Sequence, residues 1–368
     1  MRYSRLAVGG LTGALMIGMT AVGVAAPATA ETYRTPIGPD IETIKEALEN
    51  TGSDVQFLAA AHRGQWRAAP ENSLAAIDGS IEEGAEIVEL DVRVTQDDVP
   101  VLMHDETVDR TTDGSGRVED LTLQQVKQLR LKDGLGGDDA EITDAQVPTL
   151  AEAMEVLRGR AMINLDKGWP FREQILQVLE ETETVDHGIL KGSPTVDEAE
   201  DFMAANPDIY YMHIAGDDDA DQAFAFDEEH QPVAVEVTFD SVDDPQAQPE
   251  YLERLEQQGR VWLNSMWGSL AGGYTDEGSL RQDVELGWDP LADDFYASII
   301  QTDNMETMND WRHGGDPAQW GLLPDDRSLR VQAEEPIQGG QGVGYHDNDD
   351  NQCDSVSPDE PMLDICDQ

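Results

Sequence analysis

Gln56-Phe-Leu-Ala-Ala-Ala-His-Arg63, followed at a helix's distance by Ala85-Glu-Ile-Val-Glu-Leu-Asp-Val92, is the stretch on which the fold turns. Both are short apolar runs that suit buried strands, and the apolar residues of Glu71–Glu83 between them recur at helical spacing. The unit reads strand, helix, strand. Its polar residues gather where each strand ends: His62 and Arg63 after the first, Glu89 and Asp91 closing the second.

The same rhythm continues outward. Further strand-like runs lie at Ala161–Leu165, Gly188–Leu190, Ile209–Ile214, Val233–Thr238, Arg260–Asn264 and Ser298–Gln301. Helical spacing recurs over Leu150–Arg158, Arg172–Glu183, Val196–Ala205, Pro249–Gln258 and Met305–Arg312. Eight strands alternating with helices over about 250 residues predict an α/β protein, a closed (β/α)8 TIM-type barrel. A doubly wound open sheet is the alternative. Val99–Met103, ending at His104-Asp105, reads as a hairpin-like extension of the second strand.

Four segments follow. Residues 1–30 have a basic start, an apolar Leu6–Ala26 and a small-residue exit at Ala28-Thr-Ala30, the pattern of a secretory signal peptide. The apolar run is also long enough for an uncleaved anchor, the alternative reading. Export is the expected localisation, with no stable membrane insertion once the leader is cleaved. Residues 31–54 form a polar N-terminal extension with a short amphipathic helix near Ile41–Leu48, residues 55–316 the barrel, and residues 317–368 a linker and loop-rich tail. The two cysteines, Cys353 and Cys366, fall in that tail, where export permits a bridge and the spacing alone does not establish one.

Among 368 residues, 76 Asp and Glu stand against 23 Lys and Arg, for a net charge of -53. Nucleic acid and anionic membrane surfaces need clustered basic residues, so neither is an expected partner. Seven Trp, eight Tyr and seven Phe supply a sizeable core. Acidity spread along the whole chain implies self-repulsion that concentrated salt would screen, so the sequence reads as adapted to a saline medium; an ordinary acidic protein is the alternative.

Chemistry is expected at the C-terminal ends of the barrel strands. Glu89 and Asp91 are two apart on one strand and project to the same side, which in a barrel is the interior. Burying two like charges is costly unless a cation or a proton neutralises them. Asp166, at the end of the third strand in Ile163-Asn-Leu-Asp-Lys167, would complete an all-oxygen site suited to one divalent cation, Ca²⁺ or Mg²⁺. His62 and His104 would flank it as acid and base, an arrangement that suits phosphodiester cleavage. Taken singly, each of these residues is as readily a solvated loop side chain.

The run His62-Arg-Gly-Gln-Trp-Arg-Ala-Ala-Pro-Glu-Asn-Ser73, with Gly84 through His104-Asp105, resembles the glycerophosphodiester phosphodiesterase family. Arg110-Thr-Thr, Asn164-Leu-Asp-Lys-Gly, Val261–Trp267 and Ile299–Asp303 agree with it. The resemblance implies a (β/α) barrel that uses one divalent metal to hydrolyse small glycerophosphodiesters to glycerol phosphate and an alcohol. It makes His62 and His104 the acid–base pair, and Glu89, Asp91 and Asp166 the metal ligands. Arg63 would hold a phosphate oxygen, Glu71 and Asn72 would support the first loop, and Trp267 would wall the pocket. Many members carry Glu-x-Lys at the third strand. Here Lys167 directly follows Asp166 and is expected to point to the other side, so Lys191 is expected to supply the missing cation. The role of Glu236 stays open.

The tail's Arg330–Glu335, Gly339–Asp347 and Met362–Ile365 resemble the start of a β-sandwich carbohydrate-binding module. It is too short for a whole sandwich, and weak carbohydrate contact is what the resemblance implies. Two rivals to the main reading are a phospholipase C/D-like enzyme on intact phospholipids and a non-catalytic surface or carbohydrate-binding protein on the same barrel.

Overall fold

The structure, a computed structural model, describes residues 34–51, 55–216, 219–281 and 284–315. The expected leader, the tail and both cysteines lie outside these residues.

Eight parallel strands close on themselves: β1 Leu58–His62, β2 Ile87–Val94, β4 Met162–Asp166, β5 Gly188–Gly192, β6 Tyr210–Ala215, β7 Ala234–Val237, β8 Arg260–Asn264 and β9 Ile299–Thr302. β1 pairs with both β2 and β9, and this double pairing turns the sheet into a barrel and excludes the open alternative. β3, Pro100–Leu102, lies antiparallel on β2 as the expected hairpin. The predicted helices form, with ends trimmed by up to three residues: Leu74–Glu82, Leu150–Leu157, Arg172–Glu181, Val196–Ala205, Pro249–Glu256 and Met305–Arg312.

Alternation along each strand sorts the side chains. Outward residues such as Val88, Leu90, Ile163 and Leu165 pack under the helices. Inward residues divide by height. Leu58, Ile87, Met162, Ile189 and Trp262 fill the lower half, and the helix Ile41–Glu49 presses Ile44 and Leu48 against them from below. Burying each of these two large aliphatic side chains contributes about 1.5–3 kcal/mol. Arg260 locks that plug by donating to the carbonyls of Ala47 and Gln56. The barrel is therefore packed with apolar side chains at its N-terminal end. The upper half is polar.

The helix expected from Glu71 starts at Leu74 instead, capped by Ser73, whose side chain accepts from Ala76 N. Asn72 just before it has φ 57° and cannot be helical. Its amide is committed to Asp91, donating to Oδ2 at 2.9 Å and accepting from the Asp91 N–H at 3.0 Å.

Candidate metal and acid–base centre

The site is assembled from the exits of the strands. Glu89, Asp91 and Asp166 bring carboxylate oxygens within 4.8 Å of one another. The parallel register sets Asp91 opposite Asp166 and His62 opposite Glu89. Glu89 and Asp91 are each 1% exposed. Burial pushes the Glu89 carboxyl up to about 7, and the neighbouring Asp91 adds to it. Burial would also raise Asp91, but His104, Lys167, Arg63 and the Asn72 amide hold it well below the usual carboxylate range. Asp166 is likewise held down against its burial by Lys191 and Lys167. Three converging oxygens, one of them on an acid that burial and Asp91 push upward despite His62 and Lys191, fit a hard divalent cation.

Arg63 turns into this centre through a left-handed backbone, φ 55°, with Gly64 following at φ 73°. A Cβ at residue 64 would lie 2.7 Å from the Ala76 carbonyl carbon, so only glycine fits. The Arg63 N–H donates to Glu89 Oε2 at 3.0 Å, Nη1 to Glu71 at 3.2 Å, and Nε lies 3.5 Å from Asp91.

Each histidine has its own carboxylate. His62 Nδ1 donates to Asp303 Oδ1 at 2.7 Å, which also accepts from Trp66 Nε1 at 2.6 Å. Burial, the largest influence, and Arg63 would lower the His62 imidazole; the charge and hydrogen bond of Asp303, with Glu89, raise it, and the net shift is upward. His104 Nδ1 meets Asp105 Oδ1 at 2.6 Å, yet that carboxylate is also held by Arg110 through Nε at 2.9 Å and Nη2 at 2.8 Å. Burial, reinforced by Arg63 and Lys167, pushes His104 down to about 4. An ionised carboxylate can only accept, so Nδ1 of each ring carries the proton and, in the neutral ring, Nε2 carries the lone pair.

One expectation is corrected here. Lys167 does not point away: its φ of 57° reverses the chain after β4 and brings Nζ to 3.6 Å from Asp91 Oδ1 and 3.5 Å from Asp166 Oδ2. The period-two rule fails because it presumes extended backbone. Lys191 also reaches the site, where its ammonium is taken by Asp166 at 3.1 Å and Glu236 at 3.0 Å. Glu236, left without a role by the sequence, is thus the partner of Lys191, and it accepts from Asn264 Nδ2 at 3.0 Å. Glu71 accepts from Arg63 Nη1 at 3.2 Å, and Asn72 holds Asp91 through its amide. Trp267 sets its ring edge-on to His62, centroids 5.9 Å apart.

Asp303, Asp105 and Arg110 stood in the sequence only as members of motifs, with no role assigned to them. Asp303 follows the last strand, where the strand-end rule would have flagged it. Arg110 gave no such signal; it reaches back across the hairpin loop to Glu71, with Nη1 at 2.9 Å from Oε2 and Nη2 at 2.8 Å from Oε1.

The fold and centre define a (β/α)8 barrel with a carboxylate cluster and two imidazoles at the C-terminal mouth. Residues 62–259 match the model of the glycerophosphoryl diester phosphodiesterase family, and the chain belongs to that family. A domain of unknown function matches residues 211–312. Glycerophosphodiester phosphodiesterase 1 of Mus musculus is 51% identical over 129 residues, 33% of this chain and 37% of the mouse protein. Glycerophosphodiester phosphodiesterase of Caldanaerobacter subterraneus subsp. tengcongensis is 43% identical over 103 residues, 28% of this chain and 41% of that protein. The chain thus spans little more than a third of the length of these curated relatives. Among solved structures, a glycerophosphoryl diester phosphodiesterase from Parabacteroides distasonis shares the fold at TM-score 0.57 and 22% identity, covering 76% of this chain and 93% of that one. An Oleispira antarctica phosphodiesterase in complex with the product sn-glycerol-3-phosphate aligns at TM-score 0.50 and 22% identity, covering 69% and 95%.

Proposed function

We propose that this chain is an exported, salt-adapted hydrolase that cleaves small glycerophosphodiesters to glycerol phosphate and an alcohol. The observation that carries the reading is the convergence of Glu89, Asp91 and Asp166 within 4.8 Å, in a centre that also holds two carboxylate-backed imidazoles. The family supports the substrate class, as does the product held by the Oleispira fold neighbour.

Glu89, Asp91 and Asp166 would hold one Ca²⁺ or Mg²⁺. Such an ion stabilises charge on the phosphoryl oxygens. The remaining work falls to the chain's own side chains. Arg63 offers a forked donor to a phosphate oxygen. His104, neutral above about pH 4, takes the proton from the attacking hydroxyl at Nε2. His62, whose protonated form Asp303 favours, gives the Nε2 proton to the departing alkoxide. Trp267, set edge-on to His62, would wall the pocket beside it. Lys167 and Lys191 balance the carboxylates that burial would otherwise protonate.

Salt adaptation rests on the charge of -53, and export on the leader-like residues 1–30. The carbohydrate contact that the tail resemblance implies concerns residues outside the described ones and adds nothing to this reading. Among the described residues no helix is long and apolar enough to cross a membrane.

The test is release of glycerol phosphate from glycerophosphocholine in molar salt, with and without a chelator, beside intact phosphatidylcholine. Chelator-sensitive turnover of the first substrate alone is the expected result. Turnover of intact lipid alone would replace the reading with a phospholipase, and turnover of neither would leave a binding protein.

A further inference from the structure

Asp276 opens the helix Asp276–Arg281 in the connection between β8 and β9, a segment to which neither the family resemblance nor the proposed mechanism gives a role. It is 0% exposed, and no cation is paired with it among the described residues. Five donors converge on its carboxylate. Oδ1 accepts from Ser265 Oγ at 2.5 Å, Trp288 Nε1 at 2.8 Å and Thr302 Oγ1 at 2.8 Å. Oδ2 accepts from the Asp303 N–H at 2.8 Å and Asn304 Nδ2 at 3.0 Å. Three of the five belong to residues 302–304, the turn that carries the carboxylate facing His62.

We infer that Asp276 is a positioning residue acting through Asp303: it fixes the backbone turn that aims the Asp303 carboxylate at His62 Nδ1. The inference rests on the reading of His62 as a working imidazole. Asp303 is held at both ends, its side chain by His62 and Trp66 and its N–H by Asp276. Without Asp276 the buried Asp303 N–H loses its 2.8 Å acceptor and the turn loses three of its ties, leaving the Arg67 contact to the Asp303 carbonyl to hold it less closely. Only a carboxylate suits the position. It accepts at both oxygens, whereas an amide would turn N–H groups toward donors at one end. A tie that merely held the β8–β9 connection together could use any of the backbone groups in that loop and would not need to end on the Asp303 N–H.

The experiment is a double-mutant cycle between Asp276→Asn and Asp303→Asn, read by kcat, KM, melting temperature and the far-downfield Nδ1–H proton resonance of His62. Because displacements near 1 Å cost catalysis about 100-fold, Asp276→Asn is expected to lower kcat on the order of 10- to 100-fold with KM nearly unchanged. It should move or broaden the His62 resonance in a protein that still folds. On the Asp303→Asn background it should cost less than about threefold more, since both changes act through one contact. Asn304→Ala, which removes the other donor at Oδ2, enters the same cycle if Asp276→Asn does not fold. Additive losses, an unmoved resonance, or a lowered melting temperature with kcat intact would each overturn the inference. Should the wild-type chain hydrolyse no glycerophosphodiester, the functional reading falls while the resonance still decides the positioning claim.

Discussion

His62 donates its Nδ1 proton to Asp303 at 2.7 Å, across a separation of 241 residues. Asp105, by contrast, is adjacent to His104 in the chain and divides its charge between that ring and Arg110. The same residue type thus stands in two electrostatic settings. The two imidazoles are shifted in opposite directions, as the proposed acid and base require.

The pH dependence of kcat/KM follows from these shifts. His104 works as a base only when neutral, and its value of about 4 places the acid limb near pH 4. His62 works as an acid only when protonated, and its upward shift places the alkaline limb above the ordinary histidine value of about 6.5. Replacing either with Gln should cost on the order of 10²–10⁴ in rate, His104→Gln abolishing the acid limb and His62→Gln the alkaline one. Limbs assigned the other way round would reverse the roles.

Glu89 bears the cost of three buried acids in the absence of a cation. At pH 8, above its value of about 7, it is ionised in a buried setting that disfavours the charge. Glu89→Gln should therefore raise the melting temperature of the chelator-treated protein by a few degrees, at roughly 2–4 °C per kcal/mol, while calorimetric titration shows the loss of Ca²⁺ or Mg²⁺ binding. A variant that binds the ion as tightly as wild type would remove Glu89 from the ligand set.

Arg110 joins the two loops that carry the imidazoles, pairing with both Glu71 and Asp105. Arg110→Lys keeps the charge and loses the fork, so the cost should be on the order of 2–3 kcal/mol by chemical denaturation. With Asp105 freer to serve His104, the acid limb should move to higher pH. An unchanged profile would reduce Arg110 to a structural brace.

Gly64→Ala tests the turn that aims Arg63. The clash with Ala76 and the positive φ predict about 1–3 kcal/mol of destabilisation, along with a raised KM for glycerophosphocholine as the Arg63 guanidinium is displaced. A fully active, fully stable variant would show that the loop has room that the structure denies.

Salt sets the last expectation. Raising NaCl from 0.1 M to 1 M shortens the screening length from about 10 Å to about 3 Å, so a chain of charge -53 should melt at distinctly higher temperature in the second. Equal melting temperatures would return it to the class of ordinary acidic proteins.

The sequence by itself determined whatever depends on local periodicity. Alternating apolar runs and helical spacings were enough for the (β/α)8 order, and the strand-end rule marked His62, Glu89, Asp91 and Asp166, because side-chain direction in extended backbone follows from position alone. Only the tertiary structure decided what depends on backbone reversal or on closure. Lys167 enters the centre because a left-handed residue after β4 undoes the alternation, and the sign of one φ is set by surrounding contacts rather than by lysine. Asp303 reaches His62 because β9 pairs with β1, which brings the two ends of the barrel sequence side by side. The division of labour between the imidazoles came from the same source: a proton's affinity for each ring depends on which charges the fold has packed against it.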